Sequence, residues 1–314
     1  MRAVGVIEFG GPEALQVVDV PEEHPGEGEI RIRVHAAAVN PTDTYTRNGA
    51  RAEQLRAAPP PYVPGMDAAG VVDEIGPGVE TDLAVGDRVM AIVIPHGSHG
   101  AYRVSLVVPA ESVVRAPARS SHAQACTLPM NGLTARLSLD LLALSPGQTV
   151  AVTGAAGAYG GYVVQLAKAD GLRVIADASE ADRRLVTSLG ADVVVSRGDD
   201  VADAIREHAP DGVDGLADGS VQGELVVPAV ADGGAFTSVR GWAGPEGGVR
   251  GIRFLPTLVR DYARERAKLD RLREQAESGE LTLRVAQTYP ADRAGEAHRR
   301  LEKGGTRGRL VIEF

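Results

Sequence analysis

Segment 150–161 constrains the fold of this chain more than any other stretch, and it reads Val-Ala-Val-Thr-Gly-Ala-Ala-Gly-Ala-Tyr-Gly-Gly. An apolar run leads into small residues, and a helical apolar pattern follows. Ala155, Gly157 and Gly160 occupy the three glycine positions of a G-x-G-x-x-G motif. Small residues let the backbone approach a pyrophosphate, and a helix N-terminus attracts its charge. The segment predicts a dinucleotide-binding βαβ unit, with these candidate contacts: Gly154, Ala155, Ala156, Gly157, Ala158, Tyr159 and Gly160.

The residues that follow leave the choice between NAD and NADP open. Asp177 lies 22 residues beyond Ala155, after a second apolar run, where a carboxylate meets the adenosine ribose. That position favours NAD, because a carboxylate repels a 2′-phosphate. Ser179 and the basic pair Arg183 and Arg184 follow closely, and arginine pairs well with phosphate.

The apolar pattern predicts an α/β chain with two kinds of architecture. Residues 1–117 contain short strand-like runs separated by Pro, Gly and Asp, and 50–64 is expected to be a loop. From about residue 120, apolar runs alternate with helix-like stretches, which is typical of a parallel sheet with right-handed crossovers. We expect strands at 150–153, 174–176, 193–195, 213–217 and 235–239. The expected helices are 159–169, 180–188, 200–208, 222–230, 256–278 and 291–303, with a closing strand at 308–314.

Composition excludes several classes of protein. The 314 residues carry 33 basic and 42 acidic side chains, a net charge of −9, so no nucleic acid is expected as a partner. No stretch approaches the roughly 20 apolar residues of a membrane span, and the N-terminus shows no signal peptide, so a cytoplasmic location is expected. Cys126 is the single cysteine, which excludes an internal disulfide and is expected to be a small buried residue.

Several further motifs resemble one known family. They are segments 38–49 (AVNPTDTYTRNG), 61–72 (PYVPGMDAAGVV), 85–89 (VGDRV), 132–135 (GLTA), 189–192 (LGAD) and 307–311 (RGRLV), in addition to the glycine loop. Together they resemble the zinc-free quinone oxidoreductase branch of the medium-chain dehydrogenase/reductase superfamily, the branch that includes zeta-crystallin. The order and spacing of these motifs match over nearly the whole chain.

The resemblance implies a GroES-like β-rich catalytic domain at 1–119 and 263–314 and a Rossmann domain at 120–262. It implies NADPH-linked hydride transfer to a small-molecule quinone or α,β-unsaturated carbonyl, with NADH possible, and a homodimer. An enoyl-thioester or secondary-metabolite tailoring reductase of the same fold is the alternative. A non-enzymatic dinucleotide-binding protein is a third hypothesis.

The sequence also predicts that no zinc is bound. Zinc-using relatives carry a cysteine where Asn40 to Asp43 lie and a histidine where Met66 lies, and a thioether is a poor zinc ligand. His96 and His99 form a His-x-x-His pair in a glycine-rich turn, but no further ligand is evident nearby, so we interpret them as loop histidines.

The resemblance nominates the remaining site residues. Asn40 and Tyr45 are expected to donate hydrogen bonds to the oxygen that gains charge, and Asp43, an exposed and ionised carboxylate, is expected to orient the loop or a water. Alternatively, Asn40 caps a turn and Tyr45 packs in its domain. Three further cofactor contacts are expected at Thr134, Val239 and Arg309. Thr134 could equally be a helix-start hydroxyl. By its position after the fifth strand of the parallel unit, Trp242 could line the substrate site, or it could be a surface or core tryptophan.

Overall fold

A computed structural model describes all residues, 1–314, and the chain divides into two compact units. Unit 1 comprises Met1–Met130, Tyr262–Gly279 and Leu283–Phe314, and unit 2 comprises Asn131–Asp261 with Glu280–Thr282. The nucleotide motif therefore lies in a unit inserted into the middle of the sequence, and the C-terminal segment belongs with the N-terminal one.

The strands alternate with α-helices from residue 149 to residue 218, as the apolar runs predict, whereas no helix separates strand Val230–Ser238 from strand Arg253–Pro256. In chain order the strands are β1 Arg2–Gly5, β2 Gln16–Asp19, β3 Glu29–Ala38, β4 Asp67–Ile75, β5 Arg88–Ile92, β6 Ser105–Pro109, β7 Val113–Arg115, β8 Thr149–Thr153, β9 Arg173–Ala178, β10 Val193–Ser196, β11 Val213–Asp218, β12 Val230–Ser238, β13 Arg253–Pro256, β14 Val285–Pro290 and β15 Arg309–Glu313.

The helices are shorter and more numerous than the sequence pattern suggests. They are α1 Pro41–Asn48, α2 Ala52–Leu55, α3 His122–Ala125, α4 Pro129–Leu142, α5 Ala158–Ala169, α6 Arg183–Ser188, α7 Val201–Arg206, α8 Arg266–Glu277 and α9 Ala294–Glu302. None of them combines the length and the apolar character that a bilayer crossing requires.

Unit 1 is built around the ten-residue strand β3. The sheet order is β14-β15-β3-β4-β5-β7, and β6 also pairs with β3. The pairs are antiparallel except β14 with β15. The even-numbered side chains of β3, among them Ile30, Ile32 and Val34, are buried in the core of the unit, because side chains alternate between the faces of a strand.

Unit 2 contains a six-stranded sheet, in the order β10-β9-β8-β11-β12-β13, in which every pair of neighbours is parallel. Strands β8, β9 and β11 are almost wholly buried, which explains their continuous apolar runs. Since parallel strands end at the same edge, Thr153, Ala178, Asp218 and Ser238 mark one carboxyl edge of the sheet. The predicted α/β class with a parallel sheet is confirmed.

Three predicted elements differ from the structure. The expected helix 256–278 forms only as α8, because its first part contains the end of β13 at Pro256 and a 3-10 helix, Val259–Tyr262. A residue before proline favours extended backbone, so Leu255 belongs to the strand. Segment 222–230 forms a 3-10 helix, Gly223–Ala229, that contains Pro228. The expected loop 50–64 includes the single turn α2.

Candidate functional site

The glycine loop of unit 2 is a tight turn between β8 and α5. Gly154 has a φ of +67°, in the left-handed region, whereas Ala155 has a negative φ. The residue that needs glycine's freedom is therefore Gly154, and alanine is tolerated at the first motif position. A Cβ on Gly160 would lie 2.4 Å from the Gly154 carbonyl oxygen, so the first turn of α5 packs directly against the loop.

The N-terminus of α5 fits the pyrophosphate of a dinucleotide. Gly157 is the residue before the helix, and no side chain caps it. The first N–H groups of a helix have no partner within the helix, and they carry partial positive charge. The residues before the helix, Ala155, Ala156 and Gly157, are all small, as such a motif requires.

Tyr159 lies in the first turn of α5, and its contacts are within unit 2. Its hydroxyl is 2.7 Å from Ser138 Oγ on α4, which is itself 3.0 Å from Thr257 Oγ1. The ring fills the space that a Cβ on Gly219 would occupy, 2.8 Å away. Burial raises the pKa of Tyr159 above its usual range. Tyr159 therefore packs the first turn of α5 against α4 and Gly219.

The side chain of Asp177, near the end of β9, is buried. Only 2% of its side chain is exposed. Its Oδ1 accepts a hydrogen bond of 3.1 Å from the Ala155 N–H, the loop residue itself, while its Oδ2 has no hydrogen-bond partner. Burial raises the pKa of Asp177, and the Ala155 N–H and the charge of Arg197 oppose that rise. Asp177 supports the glycine loop from within the protein.

The other expected cofactor contacts of unit 2 differ in how far they are already hydrogen-bonded within the protein. Ser179 donates a hydrogen bond to Asp182 Oδ2 at 2.5 Å, and Arg183 donates to the Val194 carbonyl at 2.6 Å. Val239 directly follows β12 at the carboxyl edge. Thr134 is buried on α4, and its carbonyl accepts from Ser138 Oγ at 2.9 Å.

Asn40 lies at the N-terminus of α1 in unit 1, and its side chain is fully engaged. The residue is 0% exposed. Nδ2 donates to the Ala38 carbonyl at 3.3 Å and to Asp67 Oδ2 at 2.9 Å, and Oδ1 accepts from Arg309 at 2.6 Å. Both amide hydrogens are thus used inside the protein. The contacts of Asn40 are those of a positioning residue, in line with the capping alternative.

Arg309 lies on β15 in unit 1, so its contacts are not in the unit that holds the glycine loop. Besides Asn40 it pairs with Asp67 Oδ2 at 3.2 Å, and both charged side chains are buried. Asp67 Oδ1 also accepts from the Met130 N–H at 2.6 Å. Burial raises the pKa of Asp67, and the Arg309 charge opposes the rise. The structure gives Arg309 an internal ion pair.

Asp43 is buried, whereas the sequence led us to expect an exposed carboxylate. Its Oδ2 accepts from the Asn40 N–H at 2.8 Å and from the Tyr102 hydroxyl at 3.0 Å, and Oδ1 accepts from the Gly65 N–H at 3.1 Å. Burial raises the pKa of Asp43 to about 6, although these donors act to lower it. The expectation was wrong because α1 turns this face toward the core.

A chain of hydrogen bonds continues from Asp43 through unit 1. The Tyr102 hydroxyl is 3.2 Å from His298 Nε2, and His298 Nδ1 is 3.4 Å from the Arg47 guanidinium, which also pairs with Glu302. Arginine cannot accept a hydrogen bond, so His298 carries its proton on Nε2. Burial lowers the pKa of His298 to about 3. The chain fixes α1, because Asp43 and Arg47 both belong to that helix.

Tyr45 lies on the same helix as Asp43 and Arg47, but it is only partly buried. The Arg51 guanidinium lies over its ring, 5.6 Å from the centroid. The helix that carries Tyr45 is therefore held by a buried polar network. Sequence reasoning missed Asp67, Tyr102 and His298 as members of that network; a run of polar residues on α1 was the one local signal.

The residues at the zinc positions do not fit a catalytic zinc ion. Met66 Sδ accepts a hydrogen bond of 3.2 Å from Thr42 Oγ1, and Asn40 has no ligating atom left unused. No three His, Cys, Asp or Glu side chains are grouped as a metal site. His96 and His99 stack their rings with centroids 4.7 Å apart instead of converging on a point.

Trp242 packs in an aromatic cluster of unit 2. Its ring centroid lies 5.2 Å from that of Phe236 and 5.4 Å from that of Phe254, both in edge-to-face geometry. Such contacts are typical of core residues. The packing favours the core alternative for Trp242 over a substrate contact.

The fold and the glycine loop define a nicotinamide-nucleotide-linked oxidoreductase built from two units. Family models agree: residues 26–118 match the alcohol dehydrogenase GroES-like domain, and residues 189–312 match the zinc-binding dehydrogenase model.

Individual relatives match over nearly the full length. The quinone oxidoreductase of Mus musculus is 30% identical, over 99% of this chain and 97% of its own, and a 2-haloacrylate reductase of Burkholderia sp. is 31% identical, over 99% and 98%. Among solved structures, an NAD-dependent alcohol dehydrogenase has a TM-score of 0.87 at 31% identity, covering all of both chains. A mycobacterial protein in complex with NADPH has 0.85 at 29%, again covering all of both chains. This chain belongs to the quinone oxidoreductase-like branch of the medium-chain dehydrogenase/reductase superfamily.

Proposed function

We propose that this protein is a metal-independent, NADPH-dependent reductase that transfers a hydride to a quinone or an α,β-unsaturated carbonyl compound. The observation that carries the proposal is the glycine loop, in which Gly154 adopts a left-handed turn, Gly160 closes against it and α5 presents an uncapped N-terminus. The names of the quinone oxidoreductase and 2-haloacrylate reductase relatives support the substrate classes.

When bound, NADPH supplies the hydride. An oxygen of the acceptor gains negative charge as the hydride arrives, and a hydrogen-bond donor stabilises it. We propose Tyr45 as that donor, since a phenol can also deliver the proton that completes the reduction. Asn40 and Asp43 hold the helix that carries Tyr45 through the contacts described above.

The proposal excludes a catalytic metal because of the donor set at the expected position. A catalytic zinc needs three good protein ligands, and the thioether of Met66 and the occupied amide of Asn40 are not among them. Reduction then depends on positioning and on hydrogen bonding, which can together remove several kcal/mol from a barrier.

The experiment is to mix the purified protein with NADPH and, separately, a naphthoquinone, a short enone or an enoyl thioester, and to follow the nicotinamide absorbance. Turnover with the quinone or enone supports the proposal. Preference for the thioester would replace it with the tailoring-reductase alternative. Saturable binding without oxidation across the panel would indicate a non-enzymatic nucleotide-binding protein.

Tyr45→Phe tests the proposed donor. Loss of one such donor lowers kcat by about 100-fold, with the Kd of NADPH unchanged. The matched control is Tyr62→Phe, also in unit 1, whose hydroxyl donates to the Ala58 carbonyl at 3.2 Å. Equal turnover of Tyr45→Phe and the unaltered protein would remove Tyr45 from the mechanism.

A homodimer is part of the proposal. Strand β13 lies at the edge of the six-stranded sheet, and an edge strand has a row of backbone groups that can pair with a second chain. Sedimentation equilibrium measures the mass directly, and a monomer at micromolar concentration would contradict the proposal. The cytoplasmic location stays a prediction.

A further inference from the structure

Arg197 is a cation at the carboxyl edge of unit 2 that the sequence analysis did not single out. It directly follows β10, and its N–H donates to the Ala178 carbonyl at 3.0 Å, which fixes it beside the end of β9. Its side chain is 47% exposed. Its one charged partner is Asp177, with Nε 3.8 Å from Oδ2. The guanidinium therefore keeps most of its donors available.

Asp177 cannot take the role that its position in the sequence suggested. A carboxylate that binds ribose hydroxyls must present its oxygens to the ligand, and this one is 2% exposed with Oδ1 bound to the Ala155 N–H. Its Oδ2 is buried and accepts no hydrogen bond, and Arg197 offsets its charge. The carboxylate therefore neither binds the ribose hydroxyls nor strongly opposes a phosphate nearby.

The other basic residues are worse placed. Arg183 donates to the Val194 carbonyl at 2.6 Å and to Glu180 at 3.3 Å, so its guanidinium is used inside α6 and its neighbours. Arg184 lies on the exposed side of the same helix. Arg197 is the arginine whose backbone is hydrogen-bonded to the end of β9.

In a dinucleotide-binding βαβ unit, the adenosine ribose lies at the end of the second strand, here β9, and an arginine there accommodates a 2′-phosphate. Arginine suits this task because its planar donors match phosphate oxygens in pairs. We propose that Arg197 recognises the 2′-phosphate of NADPH and sets the preference of this chain for NADPH over NADH, while Asp177 supports the loop. The inference rests on the proposed nucleotide site.

The experiment uses calorimetric titration of the full chain with 2′,5′-ADP, 5′-AMP and NADH, which reads binding without any turnover. We expect 2′,5′-ADP to bind at least 10-fold more tightly than 5′-AMP. Arg197→Gln should weaken 2′,5′-ADP by 10-fold or more and leave 5′-AMP and NADH unchanged. Because Arg197→Gln also removes the charge that offsets the buried Asp177 carboxylate, the unfolding midpoint of each variant is measured beside its titrations.

Arg184→Gln is the competing variant on the same edge. A loss of 2′,5′-ADP affinity in Arg184→Gln equal to that in Arg197→Gln, or no loss in Arg197→Gln, would overturn the assignment. If 2′,5′-ADP gains affinity over 5′-AMP but Arg197→Gln keeps that gain, the Arg197 inference alone fails, and if 5′-AMP and NADH bind while 2′,5′-ADP gains nothing, the proposed NADPH preference fails as well. If none of the three binds, the proposed function fails with it.

Discussion

The two units use their buried charge in different ways. In unit 1 the carboxylates of Asp43 and Asp67 are closed in by donors, and Asp67 is paired with the buried Arg309. In unit 2 the carboxylate of Asp177 supports a loop with one oxygen and leaves the other without a hydrogen bond, beside the half-exposed Arg197.

The buried charges of unit 1 form a network that positions side chains, whereas those of unit 2 lie beside the proposed ligand site. A buried hydrogen-bond network favours one geometry, since each polar group lost from it leaves a partner unsatisfied. An edge with an uncapped helix N-terminus and an exposed guanidinium has donors available for an anion. On the proposed function, unit 1 orients the helix that carries Tyr45, and unit 2 supplies donors for the cofactor phosphates.

Breaking the ion pair of unit 1 should have the largest effect. Asp67→Ala leaves Arg309 buried without its carboxylate, and loss of one partner of a buried pair costs about 3–5 kcal/mol of unfolding free energy. Urea unfolding measures it. The control is Asp73→Ala, whose half-exposed carboxylate pairs with Arg31 at 2.8 Å and should cost under about 1 kcal/mol. Similar losses in both variants would contradict the comparison.

Asp43 should make the free energy of unfolding depend on pH. Its pKa is about 6 in the folded protein against an ordinary 3.8. Between these values the folded protein holds a proton that the unfolded chain has released. The free energy of unfolding therefore falls, by about 3 kcal/mol, as the pH rises from about 4 to about 6.

Asp43→Asn cannot ionise, so its stability should lack this fall. Urea unfolding of both proteins across the window measures the difference, which should change by about 3 kcal/mol. Asp73→Asn serves as the exposed control. Parallel pH profiles for the unaltered protein and Asp43→Asn would show that Asp43 is ionised throughout.

Gly160→Ala should damage the nucleotide site through packing. Its Cβ would lie 2.4 Å from the Gly154 carbonyl oxygen, and such overpacking costs about 1–3 kcal/mol. NADPH affinity should also fall. In Gly157→Ala the nearest atom is 3.1 Å away, so we expect weaker NADPH binding with little change in stability. Denaturation and nucleotide titration separate the two effects; equal stability loss in both variants would contradict the packing argument.

Ser138→Ala should have the smallest effect. It removes a buried hydroxyl that donates to the Thr134 carbonyl at 2.9 Å and contacts the hydroxyls of Tyr159 and Thr257 at 2.7 and 3.0 Å, so we expect a loss of about 1–3 kcal/mol with no change in NADPH affinity. Thermal unfolding checks it, with Ser188→Ala, whose exposed hydroxyl donates to the Leu185 carbonyl, as the control. A loss of well over about 3 kcal/mol would mean that this hydroxyl contributes more to the stability of unit 2 than its hydrogen bonds explain.

Local patterns in the sequence predicted the parallel sheet and the glycine loop. The strands of unit 2 are apolar runs because both faces of the sheet are covered, and the helix that follows Gly157 carries the apolar pattern seen in the sequence. The first part of the expected helix 256–278 could not be predicted from periodicity, because a short apolar run fits a strand or a helix equally well.

The partners of the charged residues lay beyond local reasoning. Arg309 bonds to Asn40 across 269 positions of sequence, and Tyr102 meets His298 across 196. No spacing rule links residues so far apart. Arg197 did carry a signal, a basic residue directly after the third strand of the parallel unit, but its proximity to Asp177 came only from the register of β9 and β10.

The sequence by itself determined the first strands and helices of the parallel sheet, the small residues of the loop and the family, since each depends on local composition and spacing. Tertiary structure alone decided that Asp177 turns inward, that Asp43 is buried and that Asn40 has no free amide hydrogen. Hydrogen-bond partners and burial depend on which strands lie side by side, and that is a property of the folded chain.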